Sequence, residues 1–202
     1  MITLRNLGAV GKAINDLPKQ VRFASSKAIN LTALAVQKNT VEKLLPSKFT
    51  LRSRGAPWWR RGTKFGFNIK FSNKASLVST VGSQANWLDK QERGGTKTAS
   101  GRRLAVVQGA RPSPTAVLPA RLKPKALLNR KGKRGGFTLG TRSGEGVFVR
   151  EDATSLKLMY LLKPSAKIEG KLEFVATGKG VVEGMYERTF REELIKAIAT
   201  AK

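Results

Sequence analysis

The sequence predicts an α+β protein: a long N-terminal helix, several strands, a closing helix and a long basic insertion rich in Gly and Pro. Three observations point there. Apolar residues recur at three- and four-residue steps over residues 18–45 and again over 185–201. Residues 64–71 alternate apolar with polar or small side chains, the two-residue rhythm of a strand. Residues 94–146 carry ten Gly and four of the eight Pro, a density that regular elements do not tolerate.

Leu7, Val10, Ile14 and Leu17 predict a short first helix, ended by Asp16 and Pro18. Pro18 can then open the next helix, where its missing N–H costs nothing. That helix is expected to run to Leu45 and to stop at Pro46. Ala24, Ala28, Leu31 and Ala35 lie on one of its stripes and are candidates for a subunit interface, because small side chains let another element come close. At about 1.5 Å per residue it spans roughly 40 Å, the length of a spine laid across a sheet or into an interface.

Phe65, Phe67, Ile69 and Phe71 predict a strand with one buried face. Residues 76–81 are its expected partner, with Asn73 and Lys74 at the turn. Further strands are expected at Leu104–Val107, Val147–Val149, Leu156–Leu162 and Leu172–Val175. Tyr186, Phe190, Leu194 and Ile198 form the stripe of the last helix. Residues 94–146 read as a mostly extended arm whose short apolar patches dock on neighbours, with plain disorder as the alternative that low hydrophobicity and high charge favour. The length of 202 residues suits a single domain containing this insertion.

Lys and Arg number 39 against 13 Asp and Glu, a net charge of +26, and Cys and His are absent. No disulfide, no zinc site of the Cys/His kind and no Ser-His-Asp or Cys-His machinery can be built from this alphabet. The charge is concentrated: residues 43–144 hold 23 basic residues and two acids, a net +21, whereas residues 145–202 are near neutral at +1. Such a region attracts nucleic acid, an acidic protein face or an anionic membrane. The longest apolar run, Leu158 to Leu162, is far short of a bilayer span, and no membrane partner is expected. No secretory signal is read at the N-terminus, so synthesis in the cytoplasm is the expectation.

Chemical motifs are weak. Gly178, Gly180 and Gly184 are spaced one residue too widely for a dinucleotide fingerprint, and no phosphate-binding P-loop run is present. Glu169 and Lys171 have the Glu-x-Lys spacing of some metal-dependent nucleases, a pattern too common to assign a site. No catalytic residue, metal site or cofactor is expected. Two basic clusters are the binding candidates. Arg52, Arg54, Trp58, Trp59, Arg60, Arg61 and Lys64 combine cations with paired indoles. Those indoles suit base stacking, an interface anchor or a cover over the sheet. Arg130, Lys131, Lys133 and Arg134, flanked by Gly, suit phosphate or carboxylate contacts, and Arg102 and Arg103 add a third basic pair.

Four segments, Ala28-Ile-Asn30-Leu-Thr32-Ala33 in the helix after Pro18, Phe49-Thr-Leu-Arg52-Ser-Arg54, the run from Trp87 to Gly95, and the finish from Leu158-Met-Tyr-Leu-Leu162 to Phe190, stand in an order that resembles the tail-completion or minor tail protein Z family of tailed bacteriophages. The basic insertion departs from the pattern. The resemblance implies a long helix packed on a mostly antiparallel sheet, and a non-catalytic ring subunit of the virion neck that completes the tail or joins it to the capsid. The implied partners are further copies of the chain, other neck, connector or tail proteins, and genomic DNA through non-specific contact. The implied location is the virion, with assembly in the host cytoplasm. The rival expectation is a nucleic-acid-binding basic protein of ribosomal or nucleoid type, since the basic region alone would bind a polyanion.

Overall fold

A computed structural model of the chain describes residues 7–51, 58–112, 118–130, 132, 135–142 and 144–200. The fold is α+β, as expected, with long helices near both ends and antiparallel sheets between them. The chain divides into two compact units. Unit 1 comprises residues 1–92 and 171–202, and unit 2 comprises residues 93–170.

Unit 1 opens on α1 (Leu7–Asn39), which runs unbroken through Pro18. The expected break fails because Pro18 removes one donor, while the turns on either side keep their own bonds. A π-helical turn (Thr40–Leu44) follows, and α2 (Leu45–Lys48) carries the helix past Pro46. Leu45 donates to the carbonyl of Thr40, so the register changes here. Pro46 therefore falls in the first turn of the new register, where it needs no donor.

Strands β1 (Asn68–Lys70) and β2 (Thr80–Gly82) form an antiparallel hairpin, with Ile69 opposite Val81. This is shorter than the alternation over 64–71 predicted. The chain up to Phe67 is instead a tight turn. Thr63 donates to the Arg60 carbonyl and Gly66 to that of Thr63, and a Cβ on Gly66 would meet the Arg60 carbonyl oxygen. Of the four alternating residues, Phe67 is fully buried, while Phe65 and Phe71 are more than 40% exposed. Ser72 holds the hairpin to α1. Its amide donates to Asn30 Oδ1 at 2.8 Å, its carbonyl accepts from Asn30 Nδ2 at 3.0 Å, and its hydroxyl lies 3.0 Å from that of Ser26.

A short helix, α3 (Asn86–Arg93), leads into unit 2, and α5 (Phe174–Ala199) follows soon after the chain re-enters unit 1 at Lys171. The strand expected at Leu172–Val175 is absent, and the final helix begins eleven residues before the expected Met185. The cause is a cap supplied from far away in sequence. The two carboxylate oxygens of Glu92 accept from the amides of Phe174 at 2.8 Å and Val175 at 3.0 Å. Two orphan donors are satisfied and a negative charge sits at the positive end of the helix. Replacing Glu92 by Ala is expected to cost unit 1 about 1–2 kcal/mol, read as a lower denaturation midpoint.

Gly178, Gly180 and Gly184 all lie inside α5, against their propensity. A Cβ on Gly178 would make an ordinary 3.5 Å contact with Val36 of α1, whereas Gly180 and Gly184 face open space. Converting each of these last two to Ala should stabilise unit 1 by about 0.5–1 kcal/mol, measurable by thermal unfolding.

Helices α1 and α5 run antiparallel, as shown by the approach of Lys27 to Glu193 at one end and of Val36 to Gly178 at the other. Ala24 and Ala28 are fully buried inside unit 1, so at these two positions of the predicted stripe this chain's own structure makes the close approach. Ala35 is half-buried and Leu31 is 38% exposed, so the stripe splits between core and surface. On α5 the buried row is Thr189, Glu193 and Ala197, beside the expected aromatic stripe, and Ile198 is half exposed.

Glu193 is buried but paired. Its Oε1 accepts from Lys196 Nζ at 2.7 Å, and its Oε2 forms an ion pair with Lys27 Nζ at 3.0 Å. The Lys196 and Lys27 contacts hold its carboxyl below the usual carboxylate range, and the Glu193 carboxylate raises Lys196 above the usual lysine range. A depressed folded-state carboxyl contributes stability above its ordinary value and loses it as pH falls through the folded value. Unit 1 should therefore weaken as the medium is taken below the normal range for Glu. Melts of a Lys27→Met/Lys196→Met variant should show a smaller acid-induced loss than wild type.

Unit 2 is built on a four-stranded antiparallel sheet in the order β4-β7-β6-β5. Its strands are β4 (Leu104–Val107), β5 (Gly136–Thr141), β6 (Gly144–Arg150) and β7 (Leu156–Lys163). A separate antiparallel pair joins β3 (Gly95–Thr98) to β8 (Ser165–Ile168). The described residues of 94–146 thus form strands, turns and short helices where an extended arm was expected, and several of its apolar residues join a core. Ala126-Leu127-Leu128 lies in the short helix α4 (Pro124–Leu128), where Leu127 is fully buried with Val147, Met159, Tyr160 and Ala110. Gly136 starts β5 directly against Leu127, 2.9 Å from where its own Cβ would stand. Arg150 ends β6, and Asp152 shapes the turn into β7. The Ser155 hydroxyl, the Thr154 and Ser155 amides and the Thr154 hydroxyl lower its pKa to about 2, so the turn keeps its charge in acid.

Candidate binding surfaces

The charge divides evenly between the units: 22 basic and nine acidic residues in unit 1, 17 and four in unit 2, so each carries +13. Unit 2 reaches that value with 78 residues and is the denser in charge.

In unit 1 the structure describes Trp58, Trp59, Arg60, Arg61 and Lys64 of the first predicted cluster, and Arg52 and Arg54 lie outside the described residues. Trp58 packs edge-on against Trp59 at 5.6 Å and against Trp87 at 4.9 Å between ring centroids. Trp58 and Trp59 are half-buried against the core of Leu44, Leu45, Phe67 and Leu88. In unit 1 these indoles cover one side of that core. Trp87 stays half exposed at the edge of that cover.

The cations of the same cluster are exposed, and two of them sit over aromatic rings. The Arg61 guanidinium lies 5.1 Å from the Phe71 ring and Lys64 lies 5.5 Å from Phe65. Lys74 and Lys27 approach the Phe23 ring at 5.0 and 5.7 Å. Phe65, Phe71 and Phe23 are each at least a third exposed, so the result is a surface of cations alternating with aromatic faces. The sequence carried the cations as a local cluster, but Phe65 and Phe71 only as the apolar alternation over 64–71, which pointed inward.

In unit 2, Arg130 lines a cleft of about 470 Å³ together with Arg111, Arg150 and Lys157. Leu122, Leu127, Val149 and Met159 form its apolar wall, and Glu151 is the acid at the site, paired with Lys157 at 3.3 Å. Arg111, Arg150 and Lys157 were not candidates from sequence: they lie up to 46 positions apart, and only strand pairing gathers them. Arg102 and Arg103 are exposed just before β4, and Lys131, Lys133 and Arg134 lie outside the described residues. Guanidinium groups around a cleft suit phosphate or carboxylate, which they can grip with two bonds each.

Glu169 is exposed at the end of β8. Among the described residues no three acidic side chains gather to hold a metal ion, and no helix is long and apolar enough to cross a membrane. No family model matches the chain, and no curated protein or solved structure matches it.

Proposed function

We propose that this protein is a structural component of a phage neck or tail, a non-catalytic ring subunit that completes the tail or joins it to the capsid. It docks through basic surfaces on DNA or on acidic faces of neighbouring virion proteins. The observation that carries the reading is a charge of +26 held by a folded chain, with cations arrayed on both units. Like charges at this density oppose folding and persist where a polyanion offsets them. The resemblance of the helical and Trp87–Gly95 segments to tail-completion proteins supplies the setting. Electron microscopy of particles assembled without the protein should show unjoined or unfinished tails, and intact infectious particles would overturn the proposal.

The exposed phenylalanines of unit 1 favour a second reading, a nucleic-acid-binding protein acting outside a virion. Aromatic faces beside cations suit single strands, whose bases stack without sequence preference. Tight, strongly salt-dependent binding by the isolated chain, with normal tails in its absence, would favour this reading.

A further inference from the structure

Helix α5 presents one continuous row of side chains, at seven- and four-residue steps, that α1 covers only in part. Thr189, Glu193 and Ala197 are buried, whereas Val175 and Val182 on the same row are 66% and 42% exposed. Where the cover stops, α1, β2 and α5 leave an apolar groove of about 470 Å³, lined by Ile29, Ala33, Val36, Val81, Val182 and Tyr186. Thr32 is 97% buried on its wall, and its hydroxyl has no hydrogen-bond partner.

Charge selects the occupant. The lining contains a single charged residue, Lys179, which lies 3.7 Å from Glu183. Residues 174–199 hold four acids and four bases, so α5 is neutral within a strongly cationic chain. A polyanion gains nothing from such a surface, while the neutral α5 of another copy meets it with less repulsion than the cationic remainder of the chain would. The same helix carries the complementary patch. Ile195 is 69% exposed, the most exposed large apolar side chain among the described residues, and Ile198 beside it is 50% exposed. Ile195 follows Glu193 by two positions, about 200° around the helix, and so points away from the groove.

We infer that copies of this chain associate head to tail, Ile195 and Ile198 of one copy seating in the α1–α5 groove of the next. An acceptor and a projection on opposite sides of one helix make a heterologous contact, which closes into a ring where the rotation between successive copies closes and otherwise runs on as a filament. The inference rests on the reading of the chain as a ring subunit and assigns the contact surface.

Sedimentation of the full chain in about 0.5 M salt, which screens the repulsion, tests it. Wild type should form concentration-dependent oligomers. Ile195→Asp and Val182→Asp should each weaken association by about 30-fold or more while melting like wild type. Mixed together, these two variants should form dimers and nothing larger, because one retains the groove and the other the projection. A chain that stays monomeric, oligomers indifferent to both variants, or a mixture that fails to pair would overturn the inference. A monomer that still bound DNA with a steep salt dependence would do so while leaving the electrostatic docking untouched.

Discussion

Exchanging Arg60, Arg61 and Lys64 for Gln is expected to reduce the affinity of the chain for DNA by about 100-fold at low salt. It should also flatten the dependence of log affinity on log salt by about three units, close to one for each phosphate no longer neutralised. These cations stand exposed over or beside aromatic rings rather than in the core, so replacing them should leave the fold intact. Arg111→Gln, Arg130→Gln and Arg150→Gln together test the cleft of unit 2 in the same way. Anisotropy titrations of a labelled oligonucleotide between about 50 and 200 mM salt read both sets. If neither triple variant changes affinity or slope, the basic surfaces do not contact phosphate and the partner must be an acidic protein face. The proposed docking would then be sought with tail or connector proteins and the same variants. If only the unit 1 set responds, the cation–aromatic surface is the one that meets the nucleic acid.

Truncating Tyr160 to Ala should unfold unit 2. The ring is 1% exposed at the centre of its core, and its hydroxyl donates to the Leu122 carbonyl at 2.6 Å. Removing a buried aromatic costs about 3–5 kcal/mol, comparable to the whole stability expected of so small a unit. Tyr160→Phe keeps the ring but strands the carbonyl, and should cost about 1–2 kcal/mol. Burial raises the pKa of the phenol, opposed in part by Arg111, so the hydrogen bond should survive to strongly alkaline pH. Denaturant titration followed by amide exchange over residues 104–163 checks both variants. A Tyr160→Ala protein that keeps protected amides there would show that the core does not depend on this residue.

How far the fold could be read in advance depended on the range of the interactions involved. Leu104–Val107 is a strand within its expected bounds, and Leu156–Leu162 falls one residue short of the observed end, because short β-branched and aliphatic runs between turns pair in few other ways. The alternation over 64–71 misled: Phe65 and Phe71 take shelter under cations at the surface, and periodicity does not register a cation over a ring. Of the binding surfaces, Arg60, Arg61, Lys64 and Arg130 were legible as local clusters. The partners of Arg130 in the cleft were not, because they arrive on separate strands.

The sequence by itself determined the α+β class, the absence of Cys and His chemistry, and the overwhelming positive charge, since these follow from composition and from periodicity within a single element. Only the tertiary structure decided that the Gly-rich span folds as a unit, that α5 starts at Phe174 under a carboxylate 82 positions away, and where α1 stops covering α5. Those outcomes depend on contacts between residues distant in sequence, and the local pattern of the chain holds no record of them.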